Sequence, residues 1–542
     1  MTNTSAAGRE LPHVVIVGGG FAGVYAAKAL AKAPVRVTLI DRRVYNTFQP
    51  LLYQVATGGL NPGDVTHFLR SLRIRQRNLE IVHEHLMEID PDARSIRMLD
   101  GQSIGYDYLV LANGVTTTYF GTPGAKEHAF AVYSRSQAIR IRDTLFTRLE
   151  RITQQSDRTD GLHIIVVGGG PTGVEMAGAL AELRDQGLRP AYPELDGDAF
   201  RITIVQRGEE LLKPFIPRLR RYAKQQLEHR DVELRLGTGV AEVRPESVVL
   251  TDGTVIPSDM TVWATGVAPH EEVRYWSLPL DEHDRIRVGE DLQVIGLPGV
   301  FAAGDVAIAP QDLPQLAQPA IQGGAHVGRQ ILRLIAGEAT EPFEYYDKGQ
   351  LAIVGRRSAV GEIPGLANLP VLHALKFLKK VPGFRRTFGL TAYPAWAAWL
   401  FVHIGSLLGS RNRLTTMIGL WARYGFRWYR TPVPIVGDVP AIRPSKAERL
   451  RLTPEQLRIA EAAMKEDLAD EVITIASPTE GGAESGAATP AKPRAKSPAK
   501  PRPKTPGKPR PKTARAPGTE APSGTAPAAA TERPAKGEPT DG

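Results

Sequence analysis

LPHVVIVGGGFAGVYAAKALAKAPVRVTLID, residues 11–41, decides the fold. A β-branched apolar run feeds into Gly18-Gly19-Gly20, an alanine-rich helical segment starts at Phe21, and a second apolar run ends in Asp41. Strand, glycine turn, helix, strand is the context in which a G-x-G-x-x-G pattern becomes specific. Gly18 permits the tight turn, Gly20 lets the backbone approach a pyrophosphate, and Gly23 allows close helix packing. Phe21 and Ala22 open a helix whose N-terminus favours phosphate charge, and Asp41 is placed to accept from a ribose hydroxyl.

The unit recurs. LHIIVVGGGPTGVEMAGALAEL at 162–183 is followed by FRITIVQRG at 200–208, with Gly168, Gly170, Pro171, Thr172 and Gly173 forming the second turn. Two dinucleotide sites on one chain point to a bound flavin and a transient nicotinamide, with a hydride passing between them. The second strand ends in Gln206 and then Arg207 rather than in an acid. A carboxylate there would repel the 2′-phosphate of NADP, so a neutral amide beside an arginine implies relaxed selectivity between NADH and NADPH. Arg207 reads equally well as a solvated surface charge.

YDYLVLANG at 106–114, containing Asn113 and Gly114, has a partner in DMTVWATGVAP at 259–269, with Gly266. FAAGDV at 301–306 closes the series, and Gly304 and Asp305 fit the ribityl or phosphate side of a flavin. This order implies a second unit inserted into the first. Glu175 lies in the first turn of the second helix, where a carboxylate either answers the helix dipole or relays protons beside the flavin. Gln318 and Gln322 in AQPAIQGG, residues 317–324, share one helical face. They read either as hydrogen-bond donors to a carbonyl acceptor or as groups spent on backbone or flavin.

The 542 residues are 42% hydrophobic and 23% charged, enough for two or three domains with large cores. There is no cysteine, which excludes disulfides, iron–sulfur clusters and dithiol redox chemistry. The net charge of +9 is outweighed by ten Lys or Arg between Lys492 and Arg515 alone, so the folded part is near neutral and no specific nucleic-acid surface is implied. No signal peptide is read at the N-terminus.

Residues 394–410 carry no charge, yet seventeen residues with two tryptophans, a histidine and two glycines are a poor bilayer span. Lys376, Lys379, Lys380, Arg385 and Arg386 before it, and Arg411 and Arg413 after it, fit a helix lying in an anionic membrane interface. A buried helix or a homodimer contact is the alternative. Thr453-Pro454-Glu455-Gln456 is a helix start. From Ser477 the Ala/Pro/Lys composition predicts disorder.

The chain resembles the type II NADH:quinone oxidoreductases, the alternative NADH dehydrogenases, over roughly residues 11–432. The resemblance is carried by YNTFQPLLYQVATGGLNP at 45–62, which contains Gln49, and by YDYLVLANG, GGGPTGVE, ATGVAP, FAAGDV, AQPAIQGG and HIGSLLGSRNRL. It implies a non-pumping, monotopic enzyme on the cytoplasmic face of the membrane, commonly a homodimer, that holds FAD and NAD(P)H and reduces a membrane quinone near Gln318 and Gln322. In the family the glutamate matching Glu175 is implicated in proton supply. No counterpart of the family's C-terminal lysine can be placed, and Gln206 departs from the acid usual in NADH-specific members.

The expected fold is therefore α/β: two Rossmann-like dinucleotide-binding domains of the two-domain flavoprotein reductase type, a C-terminal amphipathic helical region and a disordered tail. The expected parts are an FAD-binding domain at 11–158 and 281–345, an inserted NAD(P)H-binding domain at 159–280, and a membrane-association region at 346–440. A short helical extension at 441–476 and the tail at 477–542 complete them. The rival readings are a soluble NAD(P)H-dependent ferredoxin or rubredoxin reductase, and a flavoprotein sensor or scaffold with slow turnover.

Overall fold

The computed structural model describes residues 10–154, 161–193, 195, 200–363 and 388–425, all within the compact unit Met1–Val472. Strand β1 (His13–Val17) turns at Gly18 into helix α1 (Phe21–Ala29) and strand β2 (Arg36–Asp41). After helix α2 (Leu52–Ala56) come β3 (Leu79–His83) and β4 (Tyr108–Leu111). The next elements are β5 (Ala129–Ala131), α3 (Arg135–Thr153), β6 (Leu162–Val167), α4 (Pro171–Glu182), β7 (Phe200–Gln206), β8 (Val232–Leu236) and β9 (Met260–Trp263). Strand β10 (Val300–Ala302) returns to pair with β4.

Two parallel five-stranded sheets result, in the orders β10-β4-β1-β2-β3 and β5-β9-β6-β7-β8. All five strands of the second sheet lie in sequence between β4 and β10 of the first. Strand β5, inside the span assigned to the first part, pairs with β9 of the second sheet. Both passages between the sheets run through one antiparallel ribbon, Val115–Thr117 against Val267–Pro269.

The duplication goes deeper than the glycines. His13 Nε2 meets Thr38 Oγ1 at 2.8 Å while its backbone N–H donates to Asp107. His163 Nε2 meets Thr203 Oγ1 at 2.8 Å and its N–H donates to Asp259. The same three side-chain types tie β1, β2 and the start of β4 in one sheet, and β6, β7 and the start of β9 in the other. Buried polar groups are normally paired, and each imidazole Nε2 finds its partner inside its own sheet.

Helix α5 (Ala317–Ile335) lies against α1 so closely that a Cβ at Gly324 would meet the Ala22 carbonyl. Strands β11 (Gln350–Gly355), β12 (Ser358–Ile363) and β13 (Phe388–Thr391) form an antiparallel sheet. The region expected to associate with the membrane thus opens with a sheet whose Ala352, Val354 and Val360 are buried in the same core as α4. Helices α6 (Ala392–Ser406) and α7 (Ser410–Gly425) follow. Among the described residues no helix is long and apolar enough to cross a membrane. The cations from Lys376 to Arg386, the helix from Thr453 and the tail from Ser477 lie outside the described residues.

Candidate active site

Both glycine turns, α5 and α6 converge on one cavity of about 1000 Å3. Gly18, Gly20, Phe21, Ala22 and Asp41 line it from the first turn; Gln49, Asn113, Gly114, Gly266, Gly304 and Asp305 line it from the loops around that sheet. Pro171, Thr172 and Glu175 reach it from α4, and Gln318 and Gln322 from α5. Gly23, Gly168, Gly170, Gly173, Gln206 and Arg207 are not part of its lining. Gly23 and Gly173 act inside their turns, and Arg207 is exposed.

The wall carries polar atoms that the protein itself does not use. Both amide atoms of Asn113, Oε1 of Gln49 and Oγ1 of Thr47 are buried without hydrogen-bond partners among the described residues. Asp305 has no partner among the described residues that would lower its pKa, and burial pushes its carboxyl up to about 6. Buried polar groups are normally satisfied. Orphans gathered around a glycine turn at a helix N-terminus fit a polar nucleotide cofactor of flavin type.

The two turns differ at one atom. Asp41 accepts from the backbone N–H groups of Gly19 and Arg43, and burial raises its pKa against those two bonds. At the matching place Gln206 Oε1 accepts from the Gly169 N–H at 2.9 Å. The geometry of the carboxylate is kept and its charge is removed.

Glu175 is buried, and its Oε1 accepts from the Ile353 backbone N–H at 3.2 Å and from the Trp399 indole N–H at 3.1 Å. Burial pushes its carboxyl up to about 8, against the pull of those two donors. No lysine meets it among the described residues, and the cavity's one lysine is Lys348. Trp399 stacks on His403 with ring centroids 4.0 Å apart, and His403 Nδ1 lies 2.8 Å from the Trp399 carbonyl. That oxygen can only accept, so Nδ1 carries the hydrogen and Nε2 is bare. Burial drives the imidazole down to about 4, so it is neutral at pH 7.

Gln322 is committed elsewhere: its amide donates to the Tyr346 carbonyl at 2.9 Å and accepts from the Tyr346 N–H at 3.1 Å. Of the two sequence readings, backbone capping holds for this residue. Gln318 makes no such pairing among the described residues and lines the cavity.

Sequence reasoning did not single out Trp399 or His403; their four-residue spacing on an uncharged helix was the available signal. It also missed the polar cluster at the far end of the cavity. There Arg42 donates to His270 at 3.1 Å and His85 meets Glu272 at 3.3 Å.

One further contact ties α7 to the site. Arg423 pairs with Glu182 at 3.2 Å and donates to Gln54 of α2 at 3.3 Å, with both charged side chains largely buried. Removing one partner strands the other charge in the interior. Arg423→Met should lower the unfolding free energy by about 3 kcal/mol, and adding Glu182→Leu should restore most of it. Denaturant midpoints of the two variants check this; an unchanged single-variant midpoint refutes it.

The pyridine nucleotide-disulphide oxidoreductase family model matches residues 12–324. The chain is 34% identical over 423 residues to the type II NADH:quinone oxidoreductase Ndh of Mycobacterium tuberculosis, covering 75% of this chain and 86% of that one. The type II NADH:quinone oxidoreductase of Staphylococcus aureus is 30% identical over 393 residues, covering 70% and 96%. NDH2 from Plasmodium falciparum, solved in complex with NADH, superposes with a TM-score of 0.68 at 20% identity, covering 79% of this chain and all of that one, a likeness of fold.

Proposed function

The chain belongs to the type II NADH:quinone oxidoreductases, and from that premise we propose how its residues divide the work. Gly18, Gly20, Asp41, Asn113 and Asp305 hold FAD, with Gln49, Gly114, Gly266 and Gly304 closing around it. FAD supplies the two-electron chemistry when bound, accepting hydride from the nicotinamide and giving electrons to the quinone. The second turn positions NAD(P)H, with Pro171 and Thr172 at the point where its lining meets that of the first. Gln318 faces the acceptor, and Glu175 handles a proton.

The observation that carries this reading is the single cavity running from the first turn, past Pro171 and Thr172, to Gln318 and to Phe401–Ser406 of the C-terminal helices. Placement within one cavity is the protein's main contribution to a transfer of this kind. The test is quinone-dependent loss of NADH absorbance with purified flavin-containing protein and a short-chain quinone. Absence of turnover overturns the assignment in favour of a protein acceptor or a sensor.

Both NADH and NADPH are substrates on this reading, since Gln206 offers no negative charge to a 2′-phosphate and Arg207 follows it. Gln206→Glu should lower the NADPH-to-NADH ratio of kcat/KM at least about tenfold, or ~1.4 kcal/mol. Steady-state assays with each cofactor check it, and an unchanged ratio removes Gln206 from the selectivity argument.

Attachment to the membrane runs through α6 and α7, on the side where nicotinamide is supplied, the cytoplasmic face. Phe401, Leu414, Met417, Ile418 and Trp421 are exposed there, with Arg411 and Arg413 beside them. Apolar groups flanked by cations suit an anionic interface, and a homodimer is the competing occupant of the same face. Met417→Asp with Ile418→Asp should weaken binding to anionic vesicles at least about tenfold. Flotation measures it; unchanged flotation with a loss of dimer in sedimentation assigns the face to self-association.

A further inference from the structure

The backbone and side chain of one residue, Trp399, touch both titratable groups that α4 and α6 bring to the cavity. Its indole N–H donates to Oε1 of Glu175, and its carbonyl faces Nδ1 of His403. Ile353 N–H also donates to Oε1. Two donors on one oxygen make that oxygen the carbonyl of the neutral carboxyl, because the carbonyl has two lone pairs for them whereas a hydroxyl there would crowd its own hydrogen against both N–H groups. Oε2 takes no hydrogen bond among the described residues and is not one of the sealed, unpartnered atoms, so it is the oxygen open to the cavity that Glu175 lines.

We propose that Trp399 is a positioning residue that fixes the Glu175 proton on Oε2, aimed into the cavity, and leaves His403 Nε2 as a bare acceptor in the same cavity. The proposal rests on the reading above that a quinone is reduced in this cavity. Overall, NADH, one proton and quinone give NAD+ and quinol. The hydride brings both electrons and one hydrogen, and Glu175 relays the other proton. The Oε2–H bond breaks, a quinone O–H bond forms, and the carboxylate regains its proton from water. His403, bare at Nε2, takes a hydrogen bond from such a water and does not itself supply the proton at neutral pH.

The other ionisable groups around Glu175 are few. Tyr53 faces it from α2, His403 lines the same cavity from α6, and Lys348 stands at the cavity wall before β11, whose own residues carry none. Glu182, two turns further along α4, forms its own ion pair with Arg423 of α7.

Trp399→Phe deletes the N–H and keeps a ring to stack on His403. Infrared titration of the buried carboxyl, identified by its absence in Glu175→Gln, reads the effect without turnover. With one donor gone from Oε1, the carboxyl should ionise about one pH unit or more higher than in the wild type. The alkaline limb of kcat with a short-chain quinone should move with it. An identical titration in both proteins overturns the proposal. Should Trp399→Phe not fold, the wild-type band alone decides: a C=O frequency lowered by two hydrogen bonds supports the assignment, and that of a free C=O defeats it. Wild-type protein with the lowered band but no quinone turnover would overturn the functional reading while leaving the proton on Oε2.

Discussion

Gly23→Ala yields protein without flavin, whereas Gly173→Ala yields flavin-containing protein that NADH reduces at least about a hundredfold more slowly, a difference of ~2.7 kcal/mol in the barrier. A Cβ at Gly23 would collide with the carbonyl oxygen of Gly18, and one at Gly173 with that of Gly168. In both turns the obstructing atom is backbone that cannot rotate away, so the first helical turn must swing off its strand and the N–H groups lose their aim at a phosphate. The two variants separate the sites because each collision is confined to its own turn. Flavin absorbance after purification and stopped-flow reduction by NADH measure the two effects. Chemical reduction by dithionite should remain fast in Gly173→Ala. Flavin retained by Gly23→Ala, or NADH reduction unaffected in Gly173→Ala, would refute the assignment of turn to cofactor.

Glu175→Gln should abolish a pH-dependent loss of stability. The carboxyl ionises near 4.5 in the unfolded chain and is pushed up to about 8 in the folded one, mainly by burial. Between those values the folded state holds a proton that the unfolded state has released, so rising pH favours unfolding. Across the whole window the cost reaches about 5 kcal/mol. Thermal midpoints of wild type and variant should agree near pH 4.5 and diverge toward pH 8, with the glutamine protein the more stable. Parallel pH profiles would show that Glu175 is ionised in the folded protein at neutral pH.

What the sequence made legible was local. Each glycine turn lies within one strand–helix unit, so Gly18, Gly168 and the acid-to-amide change at Gln206 were readable from neighbours. The return of the chain at Val300–Ala302 was readable because an apolar run ending in Gly-Asp has few other uses. Strand Ala129–Ala131 was not, since three residues are too few to show a period, and its place in the second sheet is decided by pairing with Met260–Trp263. The donors to Glu175 lie 178 and 224 positions away, beyond the reach of any spacing argument. Gln322 was narrowed to two roles by its helix face, and only the arrival of Tyr346 chose between them.

The membrane seat proposed for α6 and α7 constrains any attempt to free this enzyme of detergent. Shortening the chain before α6 is the obvious route, but it would take Trp399 from Glu175 and Arg423 from Glu182, opening the cavity and exposing a charge made to be covered. The greasy positions on the outside of α7, Leu414, Met417, Ile418 and Trp421, are exposed and line no part of the cavity. On that proposal solubility is to be engineered by exchanging those four side chains for polar ones while both helices, with Trp399 and Arg423, stay in place.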